Sequence, residues 1–298
     1  MANNKRVRDL SWANSNLINS EPLFQEYKSL LPEIDLENWQ DPWVRARNLS
    51  LISKRSSLNA EIIKNRGGWL FPQKVYFLDP TYLTKAPEHD QELDEFHMLK
   101  LKACHSLHTR YKYVTEVLFP EQIEEQLKIN GRVKIASFGS GTGIDVMVPL
   151  KNFDKRVTLD CYDLDQSAIQ EGQRLSKIMG LDNRVKFHEE DIMKIENGKY
   201  DLGMLIGVIC PLPDLISKKV IKTVREKISN NGKLIISASS DNMESGDNLG
   251  RWIIEYTGDW FLEYRSPERL KGLMKSCGMN HTSLTHEPLG YHRFAICS

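Results

Sequence analysis

Residues 133–143 read Val-Lys-Ile-Ala-Ser-Phe-Gly-Ser-Gly-Thr-Gly, an apolar run that breaks into alternating glycines. A second apolar run begins at Val157 and stops at Asp163, with enough chain between the two runs for one helix. A strand that ends in a glycine turn, followed by a strand with an acid at its tip, is how an α/β sheet holds a nucleoside-bearing cofactor. These two runs therefore predict both the fold class and the place of the site.

The composition suits a globular chain with one large α/β domain or a core domain plus a cap, since 40% of the 298 residues are apolar and 27% are charged. Forty basic residues balance 40 acidic ones, which disfavours nucleic acid as the main partner, because phosphate binding usually leaves a basic excess. The 5 cysteines are scattered without a C-x-x-C pair. They predict reduced thiols in the cytoplasm rather than a disulfide framework or a metal site. The sequence shows no secretory signal and no apolar stretch of the roughly 20 residues that a membrane helix needs.

From residue 133 onward, strand-like and helix-like segments alternate. The predicted strands cover 133–138, 156–162, 185–189, 202–207, 233–238, 281–286 and 291–297, and the predicted helices cover 144–150, 166–179, 215–228 and 267–277. Gly180, Gly232 and Gly278 each follow a helical segment, where a left-handed cap favours glycine. The alternation predicts a doubly wound, mostly parallel α/β sheet of seven strands. The last two strands are joined by a short turn, so the last one must run antiparallel.

The chain before residue 130 has helical rather than strand character. Its apolar spacing predicts one long helix from Leu93 to Leu118, which Pro120 should end. We predict an N-terminal helical cap or substrate region over 1–130 and a Rossmann-like cofactor domain over 131–298. The aromatic segment 252–265 has two interpretations, as a substrate wall or as a surface that packs against the N-terminal helices.

The glycine turn admits several cofactors until its neighbours are considered. Ile144 and Asp145 stand where a P-loop would have Gly-Lys, and Ile144 also occupies the place of the third glycine of a dinucleotide fingerprint. A tight turn without any ligand is the remaining alternative. Acids and a glycine end the next strands in turn, at Asp163, at Asp191 and at Gly207, where ligands of open α/β sheets bind.

Five different short motifs accompany these strands: Phe138-Gly-Ser-Gly-Thr-Gly143, Tyr162-Asp-Leu-Asp165, Glu190-Asp-Ile192, Tyr200-Asp-Leu202 and Gly207-Val-Ile-Cys-Pro-Leu-Pro-Asp214. With these motifs the chain resembles the class I S-adenosylmethionine-dependent methyltransferases, closely over 133–240 and more loosely to 298. The resemblance implies a seven-stranded sheet whose last strand is antiparallel, in agreement with the hairpin inferred above.

The resemblance also implies residue roles. The backbone of the glycine turn would approach the methionine moiety, Asp163 would bind the ribose, and Leu164 would cover one face of the adenine. Asp191 would take the adenine amino group, and Gly207 would line the site beside the sulfonium. The full set of implied cofactor-binding residues is Gly139, Ser140, Gly141, Gly143, Asp163, Leu164, Asp191, Ile192, Gly207 and Val208.

The chain departs from the family at two places. Ser137 stands where many members carry an acid that contacts the amino group of the cofactor. Asp145 is a candidate substitute, or an ordinary acid at a helix N-terminus. Arg110 is a candidate for the methionine carboxylate, or a surface arginine. Cys210 and Pro211 replace a His-His pair that many relatives have, so that histidine base is missing.

The predicted function is methyl transfer from S-adenosylmethionine to oxygen or nitrogen of a small-molecule acceptor. If a base is needed, the candidates are His105, His108 and Tyr264. The alternatives are aminopropyl or aminocarboxypropyl transfer on the same fold and a non-catalytic module that binds S-adenosylmethionine; a dehydrogenase is disfavoured by Ile144. A homodimer is compatible with the helical N-terminal region.

Overall fold

The computed structural model describes residues 13, 15–65, 68–78, 91–196 and 198–298. It divides the chain into two compact units. The helical unit comprises residues up to His105 together with Gly246–Phe261, and the sheet unit comprises Ser106–Ser245 and Leu262–Ser298. The boundaries therefore lie near 105, 245 and 261, whereas the sequence suggested a single boundary at 130.

The sheet unit is built on a seven-stranded sheet of order β3-β2-β1-β4-β5-β7-β6. Its strands are β1 (Val133–Phe138), β2 (Val157–Asp163), β3 (Val185–Glu189), β4 (Tyr200–Leu205), β5 (Ile228–Ser239), β6 (Thr282–His286) and β7 (His292–Cys297). The pairs among β1 to β5 are parallel, and β7 runs antiparallel to both β5 and β6. The predicted doubly wound sheet with an antiparallel last strand is confirmed.

Helices cover both faces of this sheet, as a parallel sheet requires. They are α8 (Phe119–Asn130), α9 (Ile144–Leu150), α10 (Gln166–Ile178), α11 (Asp214–Arg225) and α14 (Pro267–Ser276), with a short 3₁₀ helix at Ile192–Lys194. On one face, Leu234 and Ile236 pack with apolar residues of α11 and α14. On the other face, Ile135 and Ile235 pack with apolar residues of 114–123 and of α9.

The helix before the sheet is not continuous. It consists of α6 (Gln91–Lys100), α7 (Lys102–Tyr113), a π-helical segment (Val114–Leu118) and α8. The prediction that Pro120 ends the helix was wrong, because the proline lies in the first turn of α8 and the helix continues to Asn130. A proline in a first turn needs no N–H partner. The left-handed Gly131, with φ of 69°, is the residue that ends α8.

Of the three glycines that were predicted to cap helices, two do so and one does not. Gly180 and Gly278 follow α10 and α14 with φ of 67° and 82°, as expected. Gly232 was wrongly predicted as a cap, because it lies inside β5. That strand begins already at Ile228, which pairs with Tyr200 of β4.

The helical unit contains α1 (Ser15–Ser20), α2 (Pro22–Leu30), α3 (Pro42–Arg55), α4 (Ser57–Lys64), α5 (Leu70–Tyr76), α6 and the beginning of α7. The chain returns to it with α13 (Asn248–Trp252) and a second π-helical segment (Ile253–Thr257), after the short α12 (Asp241–Gly246). Trp252 stacks on Tyr256 with ring centroids 4.4 Å apart and meets Trp39 edge to face. For these side chains, packing against the N-terminal helices is the interpretation that the structure supports.

A buried polar cluster joins α4 to α6 within the helical unit. The Ser56 hydroxyl and the backbone N–H of Ser57 donate to Asp94, at 2.5 Å and 3.0 Å. The Asn59 amide lies 3.2 Å from the ring nitrogens of His97. Burial lowers the pKa of His97 from 6.5 to about 4, although the charge of Asp94 opposes this shift.

The helical unit should therefore lose stability in acid. His97 is neutral when folded, and the unfolded chain binds its proton first as the pH falls below 6.5. We expect the free energy of unfolding to decline between pH 6.5 and about 4, and the decline to be shallower in His97→Gln. Tryptophan emission is the suitable probe, because the tryptophans that the structure describes, Trp39, Trp43, Trp69, Trp252 and Trp260, all fall within the helical unit. An equal pH slope in the variant would contradict the assignment.

In the sheet unit, the segment that follows β4 is held by Arg265, whose side chain is fully buried. Its guanidinium donates to the backbone carbonyls of Ile209 and Leu212, at 3.0 Å and 2.6 Å. It also donates to the Asp214 carboxylate, at 3.0 Å. Burial would raise the pKa of Asp214, but hydrogen bonds from Arg269 and Arg265 outweigh this effect and the pKa is lowered.

Arg265→Met should destabilise the sheet unit by about 3–5 kcal/mol, because it leaves the carbonyls of Ile209 and Leu212 without this donor and removes one of the two arginines that bind Asp214. Arg269→Met is the matched control, since Arg269 also binds Asp214, at 2.8 Å, but its side chain is 40% exposed. That change should cost less than about 1 kcal/mol. Urea unfolding followed by far-ultraviolet circular dichroism measures both values. Equal losses in the two variants would contradict the anchoring role of Arg265.

Candidate functional site

The parallel order brings the sequence-predicted residues to one edge of the sheet. The glycine turn follows β1, and its neighbours are the ends of β2 on one side and of β4 on the other. Asp163 ends β2, and Glu189, its register partner, ends β3. Gly207 follows β4. The carboxyl ends of parallel strands are where open α/β sheets bind their ligands.

Backbone hydrogen bonds attach the glycine turn to the end of β2. The N–H groups of Gly139 and Ser140 both donate to the carbonyl of Tyr162, at 2.8 Å and 3.0 Å. The N–H of Gly141 donates to Asp163 Oδ2 at 2.7 Å. Because all three donors point to β2, the turn has one defined position on the sheet edge.

The conformation of this turn requires glycine. Gly139 has φ of 65°, in the left-handed region that side chains disfavour. A Cβ atom placed on it would lie 2.6 Å from Cγ2 of Val208 and 3.7 Å from Cδ1 of Ile192. Gly139, Val208 and Ile192, three of the residues implied to bind the cofactor, are thus brought into one cluster.

Asp163 and Leu164 lie at the tip of β2. Each carboxylate oxygen of Asp163 accepts one backbone N–H, from Gly141 at 2.7 Å and from Asp165 at 2.9 Å. A carboxylate oxygen has two acceptor positions, so both oxygens keep one for a ligand. Leu164 is 68% exposed, which is unusual for a large apolar side chain and suits a residue that covers a flat ligand.

Asp191 begins the 3₁₀ helix after β3. Its Oδ1 accepts the N–H of Met193 at 2.9 Å, which caps the helix. Met193 itself is 47% exposed, so a second apolar side chain borders this part of the edge.

Two ionisable residues, Arg110 and Asp145, lie near the end of β4 and the glycine turn. Arg110 of α7 is buried, which excludes the interpretation as a surface arginine. Its Nη1 lies 3.5 Å from the position that a Cβ atom on Gly207 would take. Asp145 lies in the first turn of α9. Burial raises the pKa of its carboxyl, and the positive charge of Arg110 opposes this shift without cancelling it. Ser137, inside β1, is buried.

The three sequence candidates for a base lie in different surroundings. His105 is partly exposed, and its Nε2 lies 2.9 Å from the carbonyl of Leu99, near the end of α6. His108 is partly buried in the portion of α7 that belongs to the sheet unit. Tyr264 is partly buried next to Arg265, and its carbonyl accepts a hydrogen bond from Arg269. Their chemical roles stay predictions.

Sequence reasoning missed His292, the first residue of β7. It pairs in register with Ser239, the last residue of β5, so both lie at the same edge as the glycine turn. The signal was available, because an antiparallel last strand must begin where its parallel neighbour ends. In the described part of the chain, no group of three or more His, Cys, Asp or Glu side chains has metal-binding geometry. No helix of that part combines the length and apolar character needed to cross a membrane.

No protein-family model matches the chain, and no curated protein matches its sequence. Solved structures do match its fold. A possible exported protein from Bordetella parapertussis has a TM-score of 0.65 at 16% identity, over 97% of this chain and 96% of its own. A putative O-methyltransferase from Nostoc punctiforme has a TM-score of 0.53 at 11% identity, over 83% of this chain and 71% of its own.

A third structural relative is the magnesium protoporphyrin IX methyltransferase of Synechocystis, whose structure contains S-adenosylmethionine. Its TM-score is 0.51 at 12% identity, and the match covers 80% of this chain and 96% of the methyltransferase. Identities this low establish the fold alone. The fold of this chain is that of the class I S-adenosylmethionine-dependent methyltransferases, as the motifs predicted.

Gly139→Ala separates the strain of the turn from its close packing. Gly131 is the control, because its φ of 69° is similar and nothing lies within 4 Å of a Cβ atom there. Gly131→Ala should cost about 1–2 kcal/mol, the strain of a left-handed residue. Gly139→Ala should cost more, since its Cβ atom must also displace Val208. Urea unfolding measures both changes, and equal losses would contradict the close approach.

Proposed function

We propose that this protein is an S-adenosylmethionine-dependent methyltransferase that transfers the methyl group to oxygen or nitrogen of a small molecule. The observation that carries the proposal is the glycine turn. It is bonded to Asp163 of β2 and packed on Val208 after β4, in a fold that methyltransferases use. Balanced charge and a helical unit rich in aromatic side chains support a small-molecule acceptor rather than nucleic acid.

The residues at the edge fit the cofactor. The open acceptor positions of Asp163 suit the two ribose hydroxyls, and exposed Leu164 suits one face of the adenine. Asp191 would accept from the adenine amino group, near the backbone of Ile192. The missing side chain of Gly207 leaves room beside the glycine turn for the sulfonium end. Asp145 would bind the amino group of the cofactor, because Ser137 stands at the position where many family members carry an acid for this purpose.

When bound, S-adenosylmethionine supplies an activated methyl group that a nucleophile takes by direct displacement. The chain would therefore act by holding the two reactants in line and by excluding water. The backbone of 139–141 and Val208 would fix the sulfur end, and Asp163 would fix the ribose. A hydroxyl acceptor would also need a proton acceptor, for which His108 and Tyr264 are the candidates in the sheet unit.

We also propose a reducing compartment such as the cytoplasm. The 5 cysteines are all free and buried, which suits an environment in which thiols stay reduced. A homodimer remains a prediction from the sequence.

S-adenosylhomocysteine, added at millimolar concentration, should raise the melting temperature, and Asp163→Ala should remove most of this shift. The control is Asp201→Ala, because Asp201 also accepts a backbone N–H, from Lys134 at 2.8 Å, but at the start of β4 and away from the edge. Both variants lose a carboxylate that accepts a backbone N–H, but only Asp163→Ala should lose the rise in melting temperature that S-adenosylhomocysteine causes. Folded wild-type protein without any shift would refute the proposal.

Product analysis distinguishes the reactions that this fold supports. Methyl transfer leaves S-adenosylhomocysteine, whereas aminopropyl transfer leaves 5′-methylthioadenosine. We expect S-adenosylhomocysteine when the protein is incubated with S-adenosylmethionine and a panel of phenols, carboxylic acids and amines. Binding without turnover across the panel would instead favour a non-catalytic module.

A further inference from the structure

Two buried polar atoms at the carboxyl edge have no hydrogen-bond partner in the described part of the chain, Oγ of Ser239 and Nδ1 of His292. The two residues are only 1% and 4% exposed. They are direct partners in the antiparallel pair of β5 and β7, so their side chains are neighbours on one face of the sheet. Buried polar atoms nearly always have partners, so this pair indicates a place where a polar group from outside the chain binds.

The same strand β5 connects this pair with the end of β4. The N–H of Gly207 donates to Oγ of Ser237 at 2.7 Å. Ser239 lies two residues beyond Ser237, so it shares a face with Ser237 and extends further out from the sheet edge. Ser239 and His292 therefore adjoin the position beside Gly207, where the sulfur end of the cofactor is proposed to lie.

His292 has the chemical state of a proton acceptor. Its Nε2 lies 3.3 Å from the Ser106 hydroxyl. In the tautomer that donates from Nε2 to this hydroxyl, Nδ1 carries an available lone pair. Burial lowers the pKa of His292 far below its usual value, and the charge of Arg110 adds to the shift, so the imidazole is neutral at physiological pH. The carboxylate of Glu287 accepts the backbone N–H of His292 at 3.1 Å.

We propose that Nδ1 of His292 is the general base of the methyl transfer and that the Ser239 hydroxyl holds the attacking oxygen of the acceptor. The inference rests on the proposed function and narrows it to hydroxyl acceptors such as phenols. His292 would take the acceptor's O–H proton while the oxygen forms its bond to the methyl carbon. The bond between that carbon and sulfur breaks, and its electron pair stays on sulfur. The products are a methyl ether, S-adenosylhomocysteine and an imidazolium, which returns its proton to solvent.

A buried imidazole suits this step because the total charge at the edge does not change. Sulfur loses one positive charge as His292 gains one, so no additional charge has to be buried. The sulfonium disfavours protonation of the imidazole before the reaction, and this effect ends when the neutral sulfide forms. Ser239 and Nδ1 of His292 offer a hydroxyl and a lone pair without a charge. They therefore suit an uncharged hydroxyl better than a carboxylate or an ammonium group.

The first experiment measures the contact with the acceptor without turnover. Protein labelled with ¹⁵N-histidine is saturated with S-adenosylhomocysteine, and the His292 signals are identified by their loss in His292→Gln. Phenol should shift the Nδ1 signal of His292, because an unprotonated ring nitrogen then accepts a hydrogen bond. Anisole is the matched control, since it has the same ring and no O–H group. A signal that phenol leaves unchanged, or that anisole shifts equally, would overturn the proposal.

The second experiment compares acceptors that do and do not need a base. In alkaline buffer phenol is largely protonated, whereas 4-nitrophenol is largely ionised. His292→Gln should lower kcat about a hundredfold or more with phenol, and far less with 4-nitrophenol. Equal losses with both acceptors would indicate a structural role and overturn the proposal, as would a wild-type protein that methylates amines and no phenol.

Two further variants complete the kinetic comparison. His286→Gln is the control, because His286 is exposed at the end of β6 and its Nδ1 lies 2.8 Å from the carbonyl of Glu287. It should change kcat less than about twofold. Ser239→Ala should raise the KM for phenol about three- to tenfold with a smaller effect on kcat, as expected for loss of one hydrogen bond.

The stability of the variants separates a bound acceptor from a structural water. Ser239→Ala should not lower the melting temperature of the free protein, because it removes an unpaired buried hydroxyl. A lower melting temperature together with an unchanged KM for phenol would indicate a structural water and overturn the role of Ser239. If S-adenosylhomocysteine fails to stabilise the protein but phenol still shifts the His292 signal, the cofactor proposal fails and the acceptor contact at His292 stands.

Discussion

The hydrogen bonds between the glycine turn and the end of β2 are the constraint on which the candidate site depends. The Tyr162 carbonyl accepts from Gly139 and Ser140, and the Asp163 carboxylate accepts from Gly141. Without these bonds, the chain leaving β1 would have no reason to turn sharply at the sheet edge. The same bonds orient Asp163, so the acid that is proposed to bind the ribose is also part of the scaffold. A single carboxylate thus links the position of the turn to the recognition of a ligand.

The sheet could be predicted closely because its signals are local and mutually consistent. Strands β1 and β3 and helix α9 have the predicted bounds, and the antiparallel end of the sheet follows from the short turn after β6. Predictions failed where a local signal has two structural uses. Pro120 could end a helix or lie in the first turn of one. In the structure a π-helical segment precedes it and α8 continues after it, so Pro120 lies in a first turn. Gly232 could cap a helix or lie in a strand, and pairing of Ile228 with β4 decides for the strand.

The aromatic segment illustrates a different limit of sequence reasoning. Trp252 and Tyr256 have the composition of a substrate wall, and nothing in the chain around them indicates which surface they meet. In the structure their partners are rings such as Phe24 and Trp39, more than 200 positions away in sequence. Such contacts depend on tertiary packing and leave no periodic signal. The segment is also divided, since Gly246–Phe261 belongs to the helical unit and Leu262 onward to the sheet unit.

Buried arginines are the feature that sequence reasoning resolves least. Arg110 and Arg265 look like ordinary surface residues in the sequence, and both are buried in the sheet unit. Their tasks differ because their surroundings differ. Arg265 donates to carbonyls that the segment after β4 would otherwise leave unpaired, so its charge serves the scaffold. Arg110 instead lies near a carboxyl whose pKa is raised and near a neutral imidazole whose Nδ1 lacks a described partner. The same residue type therefore serves the scaffold in one place and lies among ionisable neighbours in the other, and this difference depends on tertiary contacts that leave no periodic signal in the sequence.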